Sequence, residues 1–441
     1  MTVSQNDMFL KPASILFLLL LCHYSKAQDT VRTYYDEKKS ILMEVYPTQN
    51  ERINGRYQRY FEDGSLQLQG DFVMGKREGL FVHFYPESND TLKTVGYQDG
   101  LRQGPALSFD EKGNLIQKVE FQNDRMEGTL ESYFPEGALK MKGTFTNSQP
   151  HGKHTVYYPD GTVRSASTYE EGMLEGSLKS YYESGQLQSE EHYSAGQLDG
   201  KVTAYYPNGQ LKEQSVYEEG VQDGVFTGYF ENGQIAKKGT YKNGRPNGLF
   251  KTFHLSGTTK EIIEYKKGKP IDKQLLYYPS GKKSEVISYD RDGVKQQHTF
   301  YHENGQVQKR VQLVGGLPQG QVVSYDINGN KQEVIPYQNG KWNGHYRRFD
   351  ETGNLILEQG FKNGKQHGEE KTYYPNGQLK TLTTYDFGWK HGPYQSQSPT
   401  GDILVEGSFW FNKKSSVWKY YDKKGTHIKT ENYDKKGKLV E

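Results

Sequence analysis

Residues 200–224 read GKVTAYYPNGQLKEQSVYEEGVQDG, and this stretch decides the fold. Residues 202–206 alternate apolar and polar side chains, which suits a half-buried strand. The segment 207–210 is a turn, because Asn208-Gly209 accepts the positive φ angles that a type I′ hairpin imposes on its two central residues. Residues 211–217 return as a second strand. The run 219–224 is the opposite connection, with Gly220 and Gly224 wherever the chain reverses without a Cβ penalty. Segments of five to seven residues between such turns, often beside proline, exclude helix.

The same unit recurs with a period of 24 residues. Its turn glycine falls at Gly113, Gly137, Gly161, Gly185, Gly209, Gly233, Gly257, Gly281 and onward to Gly425 without a slip. Four residues before it stands an aromatic column, including Tyr157, Tyr181, Tyr205 and Tyr229, from which Gln397 alone departs. Eight residues after it stands another, including Tyr169, Tyr193, Tyr217 and Tyr241; two after it the chain is mostly aliphatic, as at Leu187 and Leu211. A hairpin of this size cannot bury enough surface to hold itself, so units must stack, and each aromatic column becomes a ladder.

The expected fold is all-β: an elongated array of antiparallel two-strand hairpin repeats, a single-layer twisted sheet or open solenoid. Residues 55–441 form the array of about sixteen units, and residues 28–54 a degenerate cap in which Tyr34, Tyr35 and Tyr46 miss the columns. The array is irregular near 268–300, where Asp272 and Gln296 replace an expected glycine; any internal boundary belongs there. One spacing stays unresolved. Apolar residues seven before the turn glycine (Leu130, Leu178, Phe226, Phe250) lie three from the aromatic column, on the opposite face unless a bulge intervenes.

Residues 1–27 read as a secretory signal: Lys11, then the apolar run 15–22, then Ser25-Lys26-Ala27 as a small-x-small site with cleavage before Gln28. The apolar run is too short to span a bilayer, which needs about 20 residues, so no membrane span is expected in the mature chain. The expected location is the periplasm, cell envelope or exterior. The one cysteine, Cys22, lies inside this segment. Lys and Arg total 56 against 54 Asp and Glu, interspersed along the array, so nothing forms the basic stripe a nucleic acid needs.

The units YYPNGQLK (205–212 and 373–380), FENGQIAKKGTYKNGRPNG (230–248) and YYESGQLQSEEHYSAGQLDG (181–200) resemble the MORN-repeat variant, the YwqK-type antitoxin repeat. The resemblance covers nearly the whole chain after the signal. It implies an elongated antiparallel β array serving as a binding or scaffolding surface, with some relatives labelled as antitoxins, and it implies no catalysis. A signal segment departs from a cytoplasmic antitoxin role and favours an export-linked immunity or envelope role.

No HExxH, nucleophile elbow, phosphate loop or dinucleotide motif occurs, so neither enzyme activity, cofactor nor metal is expected. His151, His367 and His391 precede the second turn glycine, where other units carry Glu127, Glu175, Asp223 or Asn247. A position tolerating all of these reads as a solvated turn. One feature has two readings: the neighbours of the aromatic column, Tyr158, Tyr182, Tyr206, Phe230, Tyr278 and Tyr374, form a strip that stacks a sugar or grips a protein, or else packs structurally. The expected function is an exported, non-enzymatic scaffold binding another macromolecule, foremost a protein, along an extended β face. The alternatives are neutralisation of a toxin and binding of an envelope glycan.

Overall fold

The computed structural model describes residues 29–440, and within them every helical or extended element is a strand. Residues 1–27, read above as a secretory signal, fall outside the described residues. The described residues divide into two compact units at 161/162. Each is a meander in which a strand pairs antiparallel with the strands before and after it, as the 24-residue hairpin period requires. Among the described residues, the first strand of neither unit pairs with its last, so both sheets are open.

The register resolves the odd spacing. Between Gly200–Tyr205 and Leu211–Glu218, Val202 faces Ser215 and Ala204 faces Glu213, whereas Tyr205 faces Leu211 and Lys212 is left over as a bulge. Directly opposed residues share a face. Tyr205 and Leu211 therefore project from one face, and Val202, Ser215 and Tyr217 from the other. The same slip recurs at Ser180/Tyr181, Gly228/Tyr229 and Thr252/Phe253.

That second face carries the core as one row running across the strands. In the second unit Val202 opposes Ser215, Phe226 opposes Gly239, and Phe250 opposes Ile263; the intervening registers set Ser215 beside Phe226 and Gly239 beside Phe250. In the first unit the row runs Phe81, Val95, Ala106, Val119, Leu130. Burial concentrates here: Phe81 is 0% exposed, Ser215 1% and Phe250 3%. The aromatics eight after the turn glycine flank the row and meet it edge on. Phe226, Tyr241, Phe250 and Tyr265 follow one another at ring separations of 5.9, 5.4 and 5.3 Å. The ladder thus joins this column to the residues seven before the glycine, while Tyr181, Tyr205 and Tyr229 stand on the opposite face.

The turns exchange the expected types. Gly209 N donates to Tyr206 O at 2.9 Å and Tyr206 N to Gln210 O at 2.8 Å, so the central residues are Pro207 and Asn208. Gly209 follows them with φ +83°. This is a type I turn closed by a left-handed glycine, and Pro207 explains it, since proline presets the first central φ that a type I′ turn would invert. The type I′ turns lie at the other strand ends. Glu219 and Gly220 have φ of +48° and +78° between the paired Glu218 and Val221.

Residues 29–54 form a hairpin of the same design. Its degeneracy lies in the turn, where Tyr35 N reaches Ile41 O, two residues further than Tyr206 reaches, so Tyr34 and Tyr35 fall out of the 24-residue count. The two units divide at 161/162. Pairing stays continuous through 269–301 because Asp272 takes a left-handed φ of +56° itself, and a turn closed by Gly293 N on Asp290 O replaces the one that Gln296 lacks.

Candidate functional site

The strip expected from sequence lies along the edge of type I turns. Tyr158, Tyr182, Tyr206, Phe230, Tyr278 and Tyr374 all sit there half-buried. In the second unit their hydroxyls have a common destination in the following repeat: Tyr182 donates to Tyr205 O at 2.8 Å, Tyr206 to Tyr229 O at 2.9 Å, Tyr278 to Tyr301 O at 2.6 Å and Tyr374 to Gln397 O at 2.9 Å. Where histidine replaces tyrosine the reach is the same, with His254 Nε2 3.0 Å from Tyr277 O and His302 Nε2 2.9 Å from Tyr325 O. Asn208 at the turn tip adds a bond from Nδ2 to Glu231 O at 2.9 Å. The strip stitches consecutive hairpins, and its hydroxyls are engaged in that role.

Aspartate at the same position solves a different problem. Asp350 is too short to reach the next repeat and folds back instead, accepting from Thr352 N and Asn354 N, each at 2.9 Å. Asp110 does likewise with Lys112 N and Asn114 N. The side-chain bond from Thr352, then the backbone bond from Asn354, hold the Asp350 carboxyl below the ordinary range. The column's mixture of Tyr, His and Asp is therefore two ways of satisfying one turn.

On the opposite edge, the residue before the second turn glycine caps the next repeat. Glu127 Oε2 accepts from Asn147 N at 2.9 Å, Glu175 Oε2 from Ala195 N at 2.9 Å, Asp223 Oδ2 from Asn243 N at 3.0 Å and Asn247 Oδ1 from Lys267 N at 3.3 Å. This corrects the reading of the position as a solvated turn where it is Glu, Asp or Asn: those residue types share an acceptor oxygen at the right reach. His367 and His391 occupy it beside aromatic turns, the first 4.7 Å from the Phe387 ring and the second 4.5 Å from Trp410. Among the described residues no three of His, Cys, Asp and Glu converge as metal ligands.

The face opposite the core row also offers a groove. Val307, Arg310, Gln312, Val323 and Tyr325 line it between the strands Val307–Val314 and Leu317–Tyr325. Sequence reasoning missed it, because Arg310 and Gln312 lie between the repeating columns. On the core face Tyr193 stays a neutral donor: burial, then the bond to Glu191, pushes it up to about 12.

The model for the MORN repeat variant matches residues 102–123, 126–147, 150–171, 174–195, 198–219, 222–243, 246–267, 342–363 and 366–386. Each match spans one hairpin period as built above. No curated protein matches the chain. Among solved structures, the chain is similar to one in the TcdB2-TccC3-TEV crystal structure at 13% identity, covering 92% of this chain and 26% of that one with a TM-score of 0.15. It is similar also to one in the Photorhabdus luminescens Tc holotoxin pore at 13% identity, covering 92% and 27% with a TM-score of 0.16. The chain spans about a quarter of the length of those chains, and at such TM-scores the likeness bears on nothing further.

Proposed function

The chain belongs to the MORN repeat variant family, and from that premise we propose that it is an exported, non-enzymatic scaffold which binds a protein along the sheet face opposite its core row. The observation that carries this is the division of labour between the faces. Packing of the large core side chains takes one face, with Thr203, Thr299 and Val334 buried on the other, and stitching takes the two turn edges. The remaining face repeats the same side chains every hairpin, with Tyr181, Tyr205 and Tyr229 beside Leu187, Leu211 and Ile235, and its groove at Val323 and Tyr325 adds Arg310 and Gln312 for polar contact. Aromatic and arginine side chains around a partly apolar concavity are what a protein interface draws on.

The test is a photoreactive residue placed at Gln312 in the full chain, with Asn363 on a turn as the control position. Irradiation in envelope extract should give one discrete protein adduct from position 312 and none from 363. Absence of any adduct from 312, or identical adducts from both, defeats the proposal.

A further inference from the structure

Two neighbouring type I′ turns break the pattern of their edge. Elsewhere in the second unit the first left-handed turn residue is polar or small: Glu171, Ala195, Glu219, Asn243, Lys267, Asn339, Asn363. At 387 and 411 it is phenylalanine, held at φ +43° and +46°, a conformation that a bulky side chain adopts only at a cost. Tryptophans flank them, and burial does not explain the rings: Phe387 is 43% exposed, Trp389 52%, Trp410 39% and Phe411 45%. Trp389 meets Phe411 edge on at 6.5 Å, Phe411 meets Trp410 at 5.3 Å, and His391 fills the corner 4.8 Å from Phe411. Trp389, His391, Trp410 and Phe411 hold one another in a platform that faces outward, and Phe387 extends it on the preceding turn, where its ring lies 4.7 Å from His367.

Lysines dominate its rim, in which the Asp386 carboxylate lies against His367 Nδ1 at 3.2 Å. Lys362 Nζ lies 5.9 Å from the Phe387 ring centre and Lys435 Nζ 5.2 Å from that of Trp410. Lys365 and Lys413 stand exposed in the same row of turns. The backbone offers little to a peptide strand, since Gly388 N already donates to Gln366 O and Asn412 N to Lys390 O, which removes the donors that strand addition uses. What remains is a row of ring faces alternating with ammonium groups. Successive turns on this edge are two strand spacings apart, roughly 9.5 Å, which is the run of two pyranose rings in an extended β-linked chain.

We propose that Phe387, Trp389, Trp410 and Phe411 form a binding platform for an anionic polysaccharide, a polyuronate, whose sugar faces stack on the rings while its carboxylates meet the lysine rim. This goes beyond the scaffold role and stands separately from it, because the platform lies on a turn edge and the protein-binding groove on a sheet face.

The experiment is affinity electrophoresis of the full chain through gels containing polymannuronate, a β-linked polyuronate, or a neutral β-linked glucan. Polymannuronate should retard the wild type and the glucan should not. Phe387→Asn with Phe411→Asn restores the residue type of the Asn339 and Asn363 turns and should weaken retention at least tenfold with Tm unchanged or raised. Trp389→Gln, more than half exposed, should weaken it without unfolding should the double variant prove unstable. No retardation of the wild type, equal retardation by the glucan, wild-type retention in both variants, or displacement by polyglutamate as readily as by free polymannuronate would each overturn the assignment. The adduct at position 312 should persist in these variants, so failure of either proposal is recognisable on its own.

Discussion

The ring of Phe250 lies in the space that a Cβ on Gly239 would need, so that an added methyl would overlap Phe250 Cδ1 and Cγ. Gly70 under Phe81, Gly143 under His154 and Gly407 under Trp418 repeat the arrangement, always 11 residues apart. These glycines lie in the core row and leave room for a large neighbour.

Gly239→Ala should therefore cost about 2–3 kcal/mol by overpacking. Thermal denaturation of Gly239→Ala in wild-type and Phe250→Leu backgrounds checks this. The smaller leucine should relieve at least about 1 kcal/mol of the cost, as contacting residues couple; equal costs in both backgrounds would place the strain elsewhere.

Ser215 sits in the same row between Val202 and Phe226, and its Oγ is buried without a hydrogen-bond partner among the described residues. Ser215→Ala removes that polar atom with almost no change of shape, and should stabilise the chain by about 1 kcal/mol. A lower Tm in this variant would show that the hydroxyl is satisfied in solution.

The stitch from Tyr206 to Tyr229 O is a bond between repeats. Tyr206→Phe should cost about 1 kcal/mol, and Tyr206→Asp less than Tyr206→Ala, because aspartate caps its own turn as Asp350 does. Chemical denaturation of the three variants ranks them, and an Asp variant no better than Ala would sink the idea of two interchangeable solutions.

Asp110 and Asp350 have carboxyls held below the ordinary value of 3.8, by side-chain bonds from Asn114 and Thr352 respectively, each followed by a backbone bond from Asn114 or Asn354. A carboxylate depressed on folding stabilises fully above its unfolded pKa and loses that contribution as pH falls through the folded one. The Tm gap between wild type and Asp350→Ala should be constant above pH 5 or so and close as the pH drops below about 3.8. A gap that survives at low pH would mean that the aspartate acts through shape alone.

Much of this architecture could be read in the residues, and what escaped did so for definite reasons. Glycine spacing gave the hairpins, since a left-handed residue leaves the same letter wherever it recurs. The core row escaped because its other half, six after the turn glycine, changes from Val119 to Gly143 to Ser215 to Ile263; where it shrinks to glycine a ring from the next strand fills the space, which no single column displays. The capping position misled because Glu, Asp and Asn share an acceptor and not a charge. The type I′ turns were assigned to the wrong end because Asn-Gly outweighed the proline in front of it. Of the candidate strip, the repetition was legible, but its hydrogen bonds to the next repeat depend on side-chain reach. The platform at Phe387 to Phe411 left a trace, aromatic residues in loops, that stood outside the repeating columns and so went unweighed.

The tyrosine stitches on the type I edge point the same way along the chain, from a side chain in the earlier hairpin to a carbonyl in the later one, as from Tyr182 to Tyr205; on the other edge the caps before the second turn glycine do likewise, as Asp223 waits for Asn243, while Asp124, Ser148 and Asn412 reach back to the hairpin before. A nascent array emerging from the ribosome therefore always exposes, at its growing end, groups already positioned to receive the next 24 residues. Such a chain accretes vectorially, with each completed hairpin templating its successor and none needing the far end before it can close.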